Sequence, residues 1–229
     1  MPPLENLKFD SGSFSGVARL FPLPNLVMFP HVLQPLHIFE PRYCDLLEAA
    51  LADDRLIAMA VLAPGWEKNY EGRPPIHPVA CLGQIATHVR LPDGRHNLLL
   101  AGLARVQLGT ELPATTSYRS APARLLDDEH PPAPAAAVES LRQKLLAQFR
   151  TRLPDNKEAQ GPLAQLMHSG IDLGVLTDII AYTLDMDLDS KVELLTERNV
   201  HARAERLLGL LSGGRSASRA GFPPEFSAN

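Results

Sequence analysis

Two cysteines, a single tryptophan and no basic excess narrow what this 229-residue chain can do. Cys44 and Cys81 form no CxxC pair and belong to no Cys/His cluster. They are expected to be reduced thiols in a cytoplasmic protein, with a disulfide between them left open. Lys and Arg number 22 against 26 Asp and Glu, a formal charge of −4. That balance lacks the basic face from which binding to nucleic acid or an anionic membrane begins. No stretch of eighteen residues is free of proline and polar groups, so no transmembrane helix is expected. The N-terminal "MPPLENLKFDSGSFSG" lacks the basic-then-apolar order of a signal peptide. No metal and no cofactor are expected.

Proline is what the chain has in plenty, with 21 residues. "ARLFPLPNLVMFPHVLQPLHIFEPRY", residues 18–43, is strongly apolar yet holds Pro22, Pro24, Pro30, Pro35 and Pro41. Prolines two apart on a pleated strand face the same way, so Pro22 and Pro24 fit the unpaired side of an edge strand over 17–23. "LVMF" is expected as a short extended piece ended by Pro30, and "QPLHIF" resumes extended structure. Pro41 suits the first turn of a helix over "PRYCDLLEAALADD", whose stripe is Tyr43, Leu46, Leu47, Ala50 and Leu51. "RLIAMAVL", 55–62, has the length and continuity of a central strand. The clearest hairpin runs from "ACLGQIATHVR" through Pro92-Asp93-Gly94 to "RHNLLLAGLARVQL". "SAPARLLDD" reads as a last strand.

"EHPPAPAAA" then changes the character to helical. Val138, Leu141, Leu145 and Phe149 mark one helix face. Asp172 precedes "LGVLTDIIAYTL", Ser190 and Glu193 form a capping box opening "KVELL", and Asn199 caps "VHARAERLLGLL". The expected fold class is α+β. Its parts are a leader over 1–14, a β-barrel subdomain over 15–128, a joint over 129–136, a helical subdomain over 137–212 and a disordered tail over 213–229.

Three blocks resemble the N-terminal, substrate-binding domain of the ATP-dependent Lon protease family. The first is Phe21-Pro22-Leu23-Pro24-Asn25-Leu26-Val27-Met28-Phe29-Pro30 with Pro35-Leu36. The second is Gly83-Gln84-Ile85, Leu91-Pro92-Asp93-Gly94 and Gly102-Leu103-Ala104-Arg105. The third is Leu176-Thr177-Asp178-Ile179-Ile180-Ala181, Lys191-Val192-Glu193-Leu194-Leu195, Val200 and Arg203. His31 and Val192 depart from the pattern, standing where the family usually has Gly and commonly has Gln. The resemblance implies a PUA-like β pseudobarrel followed by an α-helical bundle. It further implies a non-catalytic module that recognises unfolded or exposed polypeptide segments, as an adaptor or regulator of proteolysis with a protease or chaperone partner. An apolar groove between barrel and helices, the aromatic loop, or strand addition at a sheet edge would take up the client. The alternative is an RNA-binding PUA-like protein. No G-x-x-x-x-G-K-[ST] occurs, and the chain ends after the helices, so neither ATP hydrolysis nor peptide cleavage is expected.

Candidate sites follow from residue type. "GSFSG", 12–16, has Phe14 where a nucleophile elbow needs Ser. His31, His37, Glu40 and Cys44 cluster in sequence but without ligand spacing, and His201 with Glu205 reads as a solvated surface pair. The loop from Pro64 to Pro78 carries Trp66, Tyr70 and Arg73, the residue types that dominate binding hot spots. The opposing expectation is that Trp66 folds back as part of the core.

Overall fold

The computed structural model describes residues 12, 14–153, 170–213 and 227–228. The leader over 1–14 and the tail over 213–229 lie almost wholly outside them. The described chain is α+β and divides into two compact units, Met1–Leu126 with Phe226–Asn229, and Asp127–Glu225.

In the first unit, β1 (Val17–Leu23), β2 (Leu33–Ile38), α1 (Pro41–Leu51), β3 (Leu56–Val61), β4 (Val79–Arg90), β5 (His96–Leu108) and β6 (Arg119–Leu126) follow in order. The sheet order is β4-β3-β1-β6-β5-β2-β7, where β7 is Ser227–Ala228, and β4 also pairs with β5. The pairings β4–β3–β1–β6–β5–β4 therefore return on themselves. Ala18, Leu20, Leu56, Ala58, Ala60, Ala80, Leu82, Val106, Leu108 and Ala121 form one buried cluster drawn from all five of those strands. Alanine makes up half of it because few strands at a small circumference leave little interior volume. On α1, Tyr43, Leu46, Leu47 and Ala50 are buried, and Tyr43 stacks on Phe21 with centroids 4.1 Å apart.

β1 corrects one expectation. It is an interior strand, antiparallel to β6 over Val17–Leu20 and parallel to β3 over Leu20–Leu23. Only its second half is one-sided, and there the proline argument applies. Leu23 O accepts from Leu62 N on the β3 side, so alternation turns Pro22 away from β3. Pro22 O instead accepts from the Tyr43 hydroxyl at 3.1 Å. The missing N–H of Pro22 thus faces a helix side chain rather than a ladder partner. Residues 26–29 join no ladder, although Val27, Met28 and Phe29 are buried.

The β4–β5 hairpin closes as its sequence requires. Gly94 N donates to Leu91 O at 3.0 Å, which places Pro92 at the second position of a β-turn, and Gly94 has φ +85°. His31 also has a positive φ, +65°, at the position where the resemblance called for glycine. A β-branched residue there meets its own backbone. His31→Val is expected to lower stability by about 1–2 kcal/mol. His31→Gly is expected to leave the midpoint unchanged or higher, read by urea denaturation of both variants.

The second unit holds α2 (Ala135–Arg152), α3 (Leu173–Thr183), α4 (Leu188–Thr196) and α5 (Val200–Ser212), with α5 packed against α2 and α3. Asn199 caps α5 by accepting from His201 N and Ala202 N, and Asp172 caps α3 through Gly174 N. The capping box at Ser190 and Glu193 is corrected. Asp187, three residues earlier, accepts from both Ser190 N and Ser190 Oγ and starts the helix at Leu188. A carboxylate at that spacing competes better for the free N–H groups than the hydroxyl does. Glu193 is then free to pair with Arg206.

Candidate functional site: an aromatic loop and an apolar ribbon face

The loop 63–78 is strapped down at both ends. Ala63 N donates to Pro75 O and His77 N to Val61 O, both at 2.8 Å. Gly65, at φ +90°, turns the chain into a short 3-10 helix, Trp66–Asn69. Trp66 is half-buried and meets the Tyr70 ring edge-on, with centroids 5.6 Å apart. Tyr70 donates its hydroxyl to Glu40 Oε1 at 2.9 Å. Burial pushes the Tyr70 phenol up, and the bond to Glu40 adds to the shift.

Arg73 does not join these aromatics. It is exposed, and its Nη1 donates to Leu112 O at 2.9 Å. The cation beside the rings is Arg42, whose guanidinium lies 4.8 Å from the Tyr70 centroid and 4.7 Å from that of Tyr43. Arg42 was missed in the sequence because it stands 28 residues from Tyr70. Its adjacency to Tyr43 after a helix-starting proline was the one available signal.

A second surface appears only once register is known. Beyond the closed circuit, β4, β5 and β2 continue as a three-stranded ribbon. Val89, Asn97 and His37 stand side by side, as do Thr87, Leu99 and Pro35. Paired residues share a face. His37 Nδ1 lies 2.7 Å from Asn97 Oδ1, which confirms the alignment. Phe39 extends the row, its ring 6.1 Å from that of His37. Val89 is 60% exposed and Phe39 43%, while Leu36, Ile38, His96 and Leu98 on the opposite face are buried. Exposed Val89 and Phe39 and half-buried Leu99 and Pro35 therefore share one ribbon face, interleaved with Asn97, His37 and Thr87.

The other candidates resolve into structure. Glu40 is held by Arg42 and Tyr70, and His37 by Asn97. Burial raises the Cys44 thiol, with Asp45 and Glu48 adding to it, so the thiolate is disfavoured. Neither cysteine forms a disulfide. Among the described residues no three His, Cys, Asp or Glu side chains gather as metal ligands. No described helix is long and apolar enough to cross a membrane.

Fold and surfaces together define an α+β module that offers places for contact. The profile of the ATP-dependent protease La (LON) substrate-binding domain matches residues 17–213, and the chain belongs to that family. It is similar to the Lon protease of Rhizobium meliloti, 23% identical over 206 residues that span 90% of this chain and 25% of the relative. It is 29% identical to the Lon protease of Xanthomonas oryzae pv. oryzae over 85% of this chain and 22% of the relative. The chain thus spans about a quarter of the length of these curated relatives. Among solved structures, the N-terminal domain of the Mycobacterium avium complex Lon protease aligns with a TM-score of 0.67 at 17% identity. That alignment covers 87% of this chain and all of the other. The Lon N-terminal domain protein from Xanthomonas campestris aligns at 0.59 and 20% identity, over 84% of this chain and 97% of the other.

Proposed function

We infer that this chain is a cytoplasmic protein-binding module on a PUA-like pseudobarrel. It recognises exposed apolar segments of partly unfolded polypeptides and serves proteolysis as an adaptor or regulator. The observation that carries the reading is the ribbon face that brings Val89, Leu99, Pro35 and Phe39 together through the register of three strands, with Val89 and Phe39 exposed. A client side chain that covers such a residue removes apolar area from water on both partners. The loop of Trp66, Tyr70 and Arg73 is the second contact in this reading, with Arg42 behind the aromatic pair. Membership of a substrate-binding domain family supports protein substrates over other ligands. The net charge of −4 gives RNA no comparable support.

The test uses a permanently unfolded protein, reduced and carboxymethylated, with fluorescence anisotropy as readout. Phe39→Ser with Val89→Ser is expected to weaken binding roughly tenfold or more, since each side chain is worth about 1 kcal/mol at an interface centre. Because both are exposed, the melting temperature should stay within a few degrees. Trp66→Ala is expected to weaken binding with a similarly small thermal shift. A large fall in melting temperature with affinity intact would instead place Trp66 in the core. Unchanged affinity in both variants would remove the reading.

A further inference from the structure

β2 is the outer strand of the ribbon, and the only described strand beyond it is β7, two residues long. β7 runs parallel to β2, with Ser227 beside Leu36 and Ala228 beside His37. Among the described residues no other strand pairs with β2 on this side. An edge left open in this way is a template for a further extended chain.

The pairing with β5 decides which main-chain groups of β2 face outward. Gly102 N donates to Val32 O at 2.8 Å, so Val32 turns its carbonyl towards β5. Alternation then points Gln34, Leu36 and Ile38 at β5, opposite Leu100, Leu98 and His96, and leaves Leu33, Pro35 and His37 on the outer side. Pro35 has no N–H, so an added strand cannot be bonded continuously along this edge. His37, the next outward residue, carries both donor and acceptor, and β7 lies beside it. The edge is blunted at Pro35 and usable at His37. The sequence around β7 also suits a short pairing. It reads Pro223-Pro224-Glu225-Phe226-Ser227-Ala228-Asn229, and the two prolines have no donor to give a ladder. Only residues 225–229 can therefore add to the sheet, and few main-chain bonds hold so short a strand.

We propose that the outer edge of β2 at His37 is a strand-addition site that residues 225–229 fill in cis, and that an extended client segment binds there by displacing them. The inference rests on the polypeptide-binding reading above and adds to it a main-chain contact beside the side-chain contacts of the ribbon face. Main-chain pairing reads backbone rather than side chains, which suits clients that share no sequence. Tethering within one chain supplies an effective concentration on the order of 1 mM, enough to populate a weak pairing that a client can still displace. Apparent client affinity then falls in proportion to the fraction of the edge left open.

The test compares the full chain, a chain cut after Gly213, and a full chain carrying Ser227→Pro with Ala228→Pro, whose prolines cannot donate into a ladder. Amide exchange at His37 is read by NMR, and affinity for the reduced, carboxymethylated protein by fluorescence anisotropy. His37 is expected to exchange at least threefold faster in both altered chains. Client affinity should rise by the same factor, since one equilibrium governs both. A peptide of residues 221–229 added to the cut chain should slow His37 again and compete with the client. Equal His37 exchange in all three chains would overturn the proposal. So would protection in the full chain that fades on dilution, because the added strand would then come from a second copy. Faster exchange with unchanged client affinity would overturn the displacement step and leave the polypeptide reading standing. If none of the three chains binds the unfolded protein, the polypeptide reading fails and the displacement step fails with it.

Discussion

Gly102→Ala is expected to be the most damaging single methyl in the molecule. A Cβ at that position falls 2.1 Å from Phe29 O and 3.1 Å from Pro30 Cα. Both neighbours are backbone, so no rotamer change relieves the contact. The crossing is also fixed by two hydrogen bonds, Gly102 N to Val32 O at 2.8 Å and His31 N to Gly102 O at 2.9 Å. To accept alanine, the 29–32 segment has to lift off β5 and break both. Overpacking in a rigid site costs about 1–3 kcal/mol, and the lost bonds bring the expected total to about 4 kcal/mol. That is a large part of the roughly 5–15 kcal/mol that holds a domain together. Gly83→Ala is the control. There the added methyl meets Leu100 Cγ at 2.7 Å and backbone only at Ala101 O, 3.2 Å away, so a smaller adjustment accommodates it. Thermal unfolding should show Gly102→Ala far below Gly83→Ala.

Arg203→Met is the second expected large loss. Arg203 is fully buried, and its guanidinium donates Nε to Thr177 Oγ1 at 2.9 Å and Nη1 to Glu197 O at 2.8 Å and Asp128 Oδ1 at 2.9 Å. Asp178, equally buried, lies 3.7 Å from Nε. Methionine fills the stem but removes the cation shared by two carboxylates. Breaking a buried pair by deleting one partner costs about 3–5 kcal/mol. Arg206→Met provides the contrast. Its pair with Glu193 is about half exposed on both sides, and exposed pairs contribute at most about 1 kcal/mol. Denaturant titration should therefore separate the two variants by roughly 2–4 kcal/mol.

What the sequence made legible was local. Pro41 with a four-residue apolar rhythm defines α1, Pro92-Asp93-Gly94 defines the hairpin turn, and Asn199 defines the start of α5. Each depends on residues within one or two turns of chain. The role of β1 was not legible, because its parallel partner β3 enters only after β2 and α1. The capping error at Ser190 came from two cap-forming residues three apart, where the carboxylate of Asp187 wins. The apolar strip was hidden for a different reason. Each strand supplies only one or two of its residues at alternate positions, so no window of sequence looks hydrophobic on that account. Register alone assembles Val89, Leu99 and Pro35 on one face. The aromatic loop was visible as composition, whereas its anchoring by Glu40 and Arg42 depends on contacts across 28 to 30 residues.

The reading rests on where an unfolded polypeptide lands. Hydrogen–deuterium exchange of the full chain, with and without a saturating, permanently unfolded protein, tests this most directly. Slowed exchange over 33–39, 87–90 and 97–99, with weaker protection over 65–73, is the predicted result. Binding that leaves those segments unprotected would contradict the account.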